Sequence, residues 1–338
     1  MQIDDGREIT DSRAPFPTDV RAAPIALRPM NNSMSSRSMT ETSSLRELPH
    51  AVSVDTVGAY YNRMMRKLLH KYGPGPRVHY HMGYYPEGRC PQHPQGTPSE
   101  VIRDSIWASQ ERLLEITADI WDASKLLSGS VLDVGCGLGG AALWWAKRFG
   151  AEVTCVTVAE DHPEVIRDLA RRAGVGDQIR VILSEASDVP VDRQYDSVVA
   201  IESADYFDRN TWFARLAQLV RPGGFVCIED VFRMTRRGAI TWSDYFYARP
   251  GSIGEFERSA ASAGFTLIEK VDITSKTAPF WMESRLWTQA ILNEPGSENI
   301  DSEERRRLRI SYAVHRELFE EWNSSEMCEA VLLFKKTV

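Results

Sequence analysis

The chain has 338 residues, of which 43% are hydrophobic, and its formal net charge is −7. This length and apolar content are enough to bury one large core, and the negative charge argues against nucleic-acid binding, because a phosphate backbone selects basic surfaces. No apolar run reaches the roughly 20 residues of a membrane-spanning helix. The five cysteines show no metal-ligand spacing, so we expect a soluble, cytoplasmic protein without a membrane partner.

The first 50 residues differ in composition from the rest of the chain. They contain Pro15, Pro17, Pro24 and Pro29 and a serine-rich stretch without sustained periodicity. Such a composition buries too little apolar surface to offset the loss of chain entropy. We therefore expect residues 1–50 to form a disordered tail.

From Ser99 onward, helical and strand patterns alternate along the chain. Apolar spacing predicts a helix over residues 100–121. Strands are predicted at residues 131–134, 152–158, 179–183, 195–201, 225–230, 266–273 and 330–335, and helices at 141–149, 163–173 and 211–219. Alternation of this kind indicates an α/β fold with a mostly parallel sheet covered by helices on both faces.

A long insert separates the last two predicted strands. About 55 residues lie between them, far more than an ordinary connection, and residues 303–309 read as a charged helix. The insert, at about 275–327, is interpreted as either a lid or an oligomer contact, and we expect a homo-oligomer. Residues 51–98 are then a helical cap, and residues 99–338 form the main domain.

A glycine-rich motif follows the first predicted strand and is the strongest local signal. It reads Asp133-Val-Gly135-Cys-Gly137-Leu-Gly139-Gly140. Glycines at this place allow a tight turn and a close approach of the backbone to a ligand at the start of the next helix. The spacing alone also fits a dinucleotide fingerprint, so the motif by itself leaves both cofactor classes open.

The surroundings of the motif favour a methyl donor. The acidic residue that an NAD ribose requires after the second strand is replaced by Thr157-Val158-Ala159. Asp133 with the glycines resembles motif I of class I methyltransferases, which have a Rossmann-like, seven-stranded, mostly parallel sheet. The stretch around Glu185 and Ala186 resembles the loop that holds adenine in these enzymes, and residues 220–225 resemble the turn before their fifth strand. The resemblance implies S-adenosylmethionine as the cofactor.

A basic segment precedes the main domain. Its amphipathic helix carries Arg63, Arg66, Lys67, His70 and Lys71, and no acidic residue occurs between Asp55 and Glu87. Lys, Arg, Tyr and His donors suit a phosphate or diphosphate. The candidate substrate-binding residues in this segment are Tyr61, Asn62, Arg66, His79, Tyr80 and His81. A solvated helix face is the alternative, and for Arg63 or Lys67 alone we prefer it.

Glu202 lies at the carboxyl end of the fourth predicted strand, where ligands bind in open parallel sheets. With an alkene acceptor, methyl addition leaves a carbocation, and a base must remove a neighbouring proton. Glu202 is the candidate base; a helix cap or a contact to the cofactor is the alternative. Tyr206 and Trp242 are candidates to stabilise the cation with their ring faces, and Tyr245 is a candidate substrate contact, whereas we expect Phe246 and Tyr247 to be packed core.

Residues 79–85 and 108–111, the glycine motif, Cys155-Val156-Thr157 and Glu202-Ser203 together resemble the prenyl diphosphate C-methyltransferases. Within that family the chain looks closest to the geranyl diphosphate C6-methyltransferases of benzastatin-type biosynthesis. The resemblance implies that Glu202 is the general base, that Gln110 and the glycine loop hold the amino-acid end of the cofactor, and that Mg²⁺ accompanies the diphosphate; it identifies no metal ligands.

Residues 241–247 depart from the C2-methylating branch of that family, so the position methylated, C6 or C2, stays open. Two further alternatives remain at this point. One is an O- or N-methyltransferase of a small anionic metabolite, and the other is a catalytically silent cofactor-binding protein.

Overall fold

The computed structural model describes residues 54–73, 75–88, 99–235 and 238–337, with the side chains of residues 54–56 excepted. The predicted tail (residues 1–50) and Cys90 lie outside this part of the chain. Seven strands form one sheet: β1 Ser130–Val134, β2 Glu152–Thr157, β3 Ile179–Leu183, β4 Tyr195–Ile201, β5 Val220–Arg233, β6 Phe265–Asp272 and β7 Met327–Lys336.

The sheet has the strand order β3-β2-β1-β4-β5-β7-β6. The first five strands in this order run parallel to one another, and β7 is antiparallel to both β5 and β6. The order reverses between β1 and β4, where a crevice opens at the carboxyl ends of the strands. The fold is the Rossmann-like class I methyltransferase fold that the sequence predicts.

Helices cover the sheet and extend beyond it. They are α1 Val54–Tyr72, α2 Ser99–Trp121, α3 Ala123–Leu126, α4 Gly140–Phe149, α5 His162–Ala173, α6 Arg209–Leu219, α7 Ile240–Phe246, α8 Ile253–Ser262, α9 Thr274–Thr277, α10 Pro279–Asn293 and α11 Ser302–Asn323. Alternate residues of β5 pack into two different cores: Cys227 and Val231 into one, Val226 and Ile228 into the other. This alternation is the two-residue period of a strand buried on both faces.

The predicted elements are all present, and the structure differs from the prediction in three respects. The turn expected at residues 220–225 is a bulge inside β5, because Tyr195 pairs with Val220 whereas Ser197 already pairs with Phe225. Helices α3, α7 and α8 are additional elements. The insert consists of α9, α10 and α11, and α10 packs against both α11 and α2.

Helix α1 and the segment 75–88 close the carboxyl end of the sheet. A Cβ on Gly58 would lie 2.7 Å from the Val158 carbonyl oxygen, so only glycine allows this close approach of α1 to the loop after β2. Further along α1, Lys67 pairs with Glu304 of α11 at 2.9 Å. In the described residues, no helix combines the length and apolarity that a bilayer crossing requires.

Candidate active site

Two adjoining cavities lie at the carboxyl ends of the strands. The large cavity, about 390 Å³, is lined mainly by the glycine loop, the ends of β2 and β3, and the turn after β4. The small cavity, about 80 Å³, is lined by α1, α7, α10 and α11. Five residues line both cavities: Tyr61, Tyr80, His81, Glu202 and Tyr206. A group transferred from one cavity to the other would pass between these side chains.

The glycine loop shapes the floor of the large cavity. Gly135 has a φ of +77°, and a Cβ there would lie 2.5 Å from the Ser203 side chain. Only glycine fits such a turn. Asp133 is buried beside this loop, and its Oδ2 accepts no hydrogen bond from any described residue. Burial raises the pKa of Asp133 to about 7, so its free oxygen is available to a polar ligand.

Most of the predicted cofactor residues line the large cavity. They are Asp133, Gly135, Gly137, Thr157, Glu185 and Ala186. Gly139 does not line it; this residue precedes α4 with a φ of +82° and faces Ile166 and Leu143. His79, predicted to bind substrate, lines the large cavity and not the small one. Its Nε2 is hydrogen-bonded to Glu111 at 2.6 Å.

Gln110 lies outside both cavities, in contrast to the role that the resemblance implies. It is fully buried, and its Nε2 donates to the His81 carbonyl oxygen at 2.6 Å. The next residue, Met82, donates its backbone N–H to Glu202 Oε1. Gln110 therefore fixes the backbone segment that holds Glu202. It acts on a ligand through this segment and not by direct contact.

Glu202 is held in an unusual backbone conformation. Its φ is +42°, and its N–H donates to the Glu229 carbonyl oxygen at 2.8 Å. Non-glycine residues with positive φ are uncommon and occur often at functional sites. Burial is the main cause, and the nearby Glu329 a further one, of a pKa well above the usual range for Glu202. A carboxyl group with this raised proton affinity suits a general base or acid.

Aromatic rings form most of the small cavity. The Tyr61 and Tyr206 hydroxyls are 3.0 Å apart, and the Tyr206 hydroxyl also donates to the Phe246 carbonyl oxygen at 2.9 Å. Trp242 lies 4.4 Å from Phe246 between ring centroids, and its Nε1 donates to Asp205 Oδ2 at 2.7 Å. Such an assembly of ring faces is suited to an apolar or cationic carbon group.

The packed-core expectation is wrong for Tyr247, which is 45% exposed with a φ of +59°, because α7 ends there in a left-handed turn. Phe246 does pack against the core, and it also lines the small cavity. Tyr245 lines the small cavity as predicted, and its hydroxyl lies 2.6 Å from Ser311 Oγ of α11.

One end of the small cavity is rich in basic side chains. Lys67, Lys71, Arg307 and His315 all line it. Lys71 donates to Ser284 Oγ, and its ammonium group lies 5.3 Å from the Trp287 ring centroid. Burial, with the Arg307 charge as a second cause, lowers the pKa of Lys71 to about 7. Within the described residues Lys71 pairs with no carboxylate, and such a buried amine gains most from an anionic ligand.

Two residues predicted to bind the anion line neither cavity. Asn62 Oδ1 accepts from the Asp161 N–H at 3.2 Å, and Arg66 is exposed. The helical period places Tyr61, Met64 and Lys71 on one face of α1. Asn62 and Arg66 lie on a different side of the helix. Within the basic segment, the ammonium groups at the small cavity are therefore those of Lys67 and Lys71.

Other lining residues are absent from the sequence-based prediction. His162 Nδ1 is hydrogen-bonded to the Gly137 carbonyl oxygen at 3.0 Å, and Ser203 Oγ donates to the Val134 carbonyl oxygen at 2.7 Å. Both residues follow the carboxyl end of a strand, and this position in the sequence pattern could have identified them as site residues. Arg307 and His315 had no such signal, because only the tertiary fold brings α11 to α1.

The model of the family described as mycolic acid cyclopropane synthetase matches residues 108–322, more than half of the chain. The methyltransferase GfsG of Streptomyces halstedii is 31% identical over 238 residues, covering 66% of this chain and 77% of that protein. Geranyl diphosphate 2-C-methyltransferase of Saccharopolyspora erythraea is 26% identical over 203 residues, covering 58% of this chain and 68% of that protein. The chain spans only 44% to 58% of several other relatives.

Among solved structures, geranyl diphosphate C-methyltransferase from Streptomyces coelicolor A3(2), in complex with Mg²⁺, geranyl diphosphate and S-adenosyl-L-homocysteine, is similar in fold. It matches with a TM-score of 0.64 at 18% identity, covering 86% of this chain and 100% of that one. At this level of identity the likeness concerns the fold.

Proposed function

Since the chain belongs to the mycolic acid cyclopropane synthetase family and is an S-adenosylmethionine-dependent methyltransferase, we propose that its acceptor is a carbon atom of geranyl diphosphate, C6 of the prenyl chain. The observation that carries the proposal is the junction of the two cavities. There, Glu202 is the one carboxylate among five shared residues, and the other four are aromatic or imidazole rings.

The large cavity fits the cofactor. Its glycine loop brings backbone close to a ligand, and Asp133 Oδ2 and His162 Nε2 are buried polar atoms without a partner in the described residues. S-adenosylmethionine supplies an electrophilic methyl group on a sulfonium. Glu185, exposed at the rim, and Thr157, buried at the end of β2, are available to the nucleoside part.

The cation-rich end of the small cavity supports binding of a diphosphate. Lys71 and Arg307 come from different elements and face the same space. Charge-assisted hydrogen bonds to phosphate contribute about 1.5–3 kcal/mol each. The apolar remainder of the cavity then takes the prenyl chain toward the junction.

The acceptor reaction follows from this arrangement. The C6–C7 alkene of the substrate would attack the methyl carbon through C6. The sulfonium S–CH3 bond would break with its electron pair going to sulfur, so that S-adenosylhomocysteine leaves and a tertiary cation remains at C7. The faces of Tyr61, Tyr80 and Tyr206 stabilise that cation, each desolvated contact contributing up to about 2 kcal/mol. Glu202 accepts a neighbouring proton, and the electrons of the broken C–H bond form the new alkene. The rings exclude water, which would otherwise trap the cation.

Magnesium fits as part of the substrate rather than as a resident ion. Glu304, the carboxylate at the cationic end, already pairs with Lys67 and Arg307. We therefore propose that Mg²⁺ arrives bound to the diphosphate oxygens, because this divalent ion usually joins a site through substrate phosphates and water.

We propose that the small cavity opens further when substrate binds, because an ion pair closes its cationic end. The Lys67–Glu304 ion pair connects α1 to α11 across this cavity. Both Lys67 and Arg307 are held by Glu304, so a diphosphate that competes for these cations would loosen the contact as it binds.

Transfer of a labelled methyl group tests the proposal. The protein is incubated with methyl-labelled S-adenosylmethionine and geranyl, farnesyl or dimethylallyl diphosphate, with and without Mg²⁺. We expect label in the geranyl product, with a strong magnesium dependence. Labelling of a phosphate-free metabolite on an oxygen or nitrogen atom, without any labelling of geranyl diphosphate, would contradict the proposal.

A further inference from the structure

Three carboxyl groups meet beneath the junction of the cavities. One carboxylate oxygen each from Glu202, Glu229 and Glu329 lies within 4.8 Å of the others. Glu202 lines both cavities, whereas Glu229 and Glu329 line neither and are fully buried. The two inner carboxyl groups therefore reach a ligand only through Glu202.

The sheet itself creates this cluster. In the antiparallel pair of β5 and β7, Glu229 lies opposite Val331, and Glu329 lies opposite Val231. Glu229 and Glu329 are thus diagonal neighbours on one face, a separation at which long side chains meet. The Glu202 N–H donates to the Glu229 carbonyl oxygen at 2.8 Å, which brings the third carboxyl group to the same place.

No cation from the described part of the chain neutralises the cluster. Among the described residues, no Lys, Arg or His forms an ion pair with any of these three glutamates, and neither oxygen of Glu229 accepts a hydrogen bond from a neutral donor. Three buried negative charges at this distance repel strongly, so some of the groups must keep protons at neutral pH. Thr277 and Trp322 lie beside Glu329 and lower its pKa, which burial raises to about 7.

We propose that Glu229 and Glu329 are positioning residues that share protons with Glu202, so that the three carboxyl groups act as one unit and set the base strength of Glu202. The inference rests on the proposed function, in which Glu202 removes a proton from the methylated cation. In that step the C–H electron pair becomes the new π bond, and the proton goes to the Glu202 carboxylate. The unit gains one proton, and it returns that proton to water when the product leaves.

Other ionisable groups also face Glu202, and they do not change the argument. Asp230 and Asp205 lie nearby, but the Asp230 carboxylate accepts the N–H groups of Ser203, Ala204 and Asp205, and Asp205 accepts from Trp242. The remaining groups that face it are Tyr61 and Tyr72 from α1, Tyr206 from the turn after β4, and Tyr80 and His81 from the segment 75–88. None of these brings a positive charge, since burial lowers the pKa of His81 to about 3.

The pH profile of kcat tests the inference. Removal of a negative neighbour favours the ionised form of Glu202, so Glu329→Gln and Glu229→Gln should each move the acidic limb of the profile down by about one pH unit or more. Glu329→Asp retains a carboxyl group and should keep the wild-type midpoint. If Glu329 had only a structural role beside Thr277 and Trp322, the Gln side chain would fill the same space and the profile would not move.

The inference would be overturned if both Gln variants kept the wild-type midpoint of the kcat profile. It would also be overturned if Glu329→Asp shifted this midpoint as far as Glu329→Gln does. A protonated-carboxyl infrared band that changes when EDTA is added to the ligand-free wild-type protein would also overturn it, since that result places a divalent cation among the carboxylates.

Infrared spectroscopy of the ligand-free protein separates this inference from the proposed function. We expect a protonated-carboxyl C=O band at neutral pH that weakens in Glu229→Gln and Glu329→Gln. Glu257→Gln, at an exposed position of α8, is the matched control and should leave the band unchanged. A weakened band together with no activity on geranyl diphosphate would refute the substrate alone. An unchanged band in both inner variants would refute proton sharing, whatever the substrate.

Discussion

Glu202 combines three local properties that the sequence shows only in part. Its position after β4 is predictable from the strand pattern, but its left-handed backbone and the N–H that it accepts from Met82 depend on the folded segment 75–88. Glu229 and Glu329 lie 100 residues apart and inside buried strands. No local pattern relates them to Glu202, so their proximity is a property of the β5–β7 register.

Replacement of Glu202 by Gln keeps the shape of the side chain and removes the base. We expect turnover to fall by about 10²–10⁴-fold, the usual contribution of a general base, and cofactor affinity to stay close to wild type. Steady-state kinetics and calorimetric titration with S-adenosylmethionine check the two parts. Near-normal turnover would remove Glu202 from the mechanism.

Lys71 should affect substrate binding more than chemistry. Lys71→Met removes the buried amine at the cationic end of the small cavity, and we expect KM for geranyl diphosphate to rise by about 10–100-fold from the loss of one charged hydrogen bond. Arg66→Met, on the exposed side of α1, is the matched control and should leave KM unchanged. An equal effect of the two variants would place the diphosphate elsewhere.

The same amine predicts a pH dependence of KM. The pKa of Lys71 is lowered to about 7, mainly by burial, so above pH 7 the free protein holds the neutral amine. Binding of the diphosphate then requires uptake of a proton, and KM should rise as the pH increases from 7 to 9. Lys71→Arg keeps its charge over this range and should flatten the profile. A KM that falls over this range in the wild-type protein would contradict this assignment.

At the scale of elements, the sequence predicts the Rossmann-like core and predicts the site less completely. Glycine turns and apolar strands are local signals, and the predicted strands match the sheet closely. Helix α7 lacks such a signal: it is seven residues long, begins and ends next to residues with positive φ, and is stabilised by contacts with α11. The insert lines the small cavity through α10 and α11, which supports the lid interpretation.

Helix α7 also limits the length of the acceptor chain. Trp242 lines the small cavity, so Trp242→Ala should enlarge it and increase turnover of farnesyl relative to geranyl diphosphate. Trp322→Ala is the matched control: its ring lies 5.5 Å from Trp242 but does not line the cavity, so it removes the same volume behind the wall. Product ratios from mixed substrates measure the preference. The same ratio in wild type and Trp242→Ala would contradict this placement.

At the scale of the whole molecule, the site combines segments that are far apart in sequence. Helix α1 supplies Tyr61 and Lys71, the turn after β4 supplies Glu202 and Tyr206, and α11 supplies Arg307. The sequence predicts the first two groups because each belongs to a recognisable local pattern. It does not predict Arg307, because α11 reads as a charged surface helix until the fold places it over the cavity.

The most direct test of this account is the position of the transferred methyl group. The product of wild-type protein, S-adenosylmethionine, Mg²⁺ and geranyl diphosphate is isolated and its structure determined by NMR. The account predicts a new methyl group on C6, with a shifted double bond that records loss of a proton beside C7. A methyl group on C2, on an oxygen, or on no carbon of the prenyl chain would contradict it.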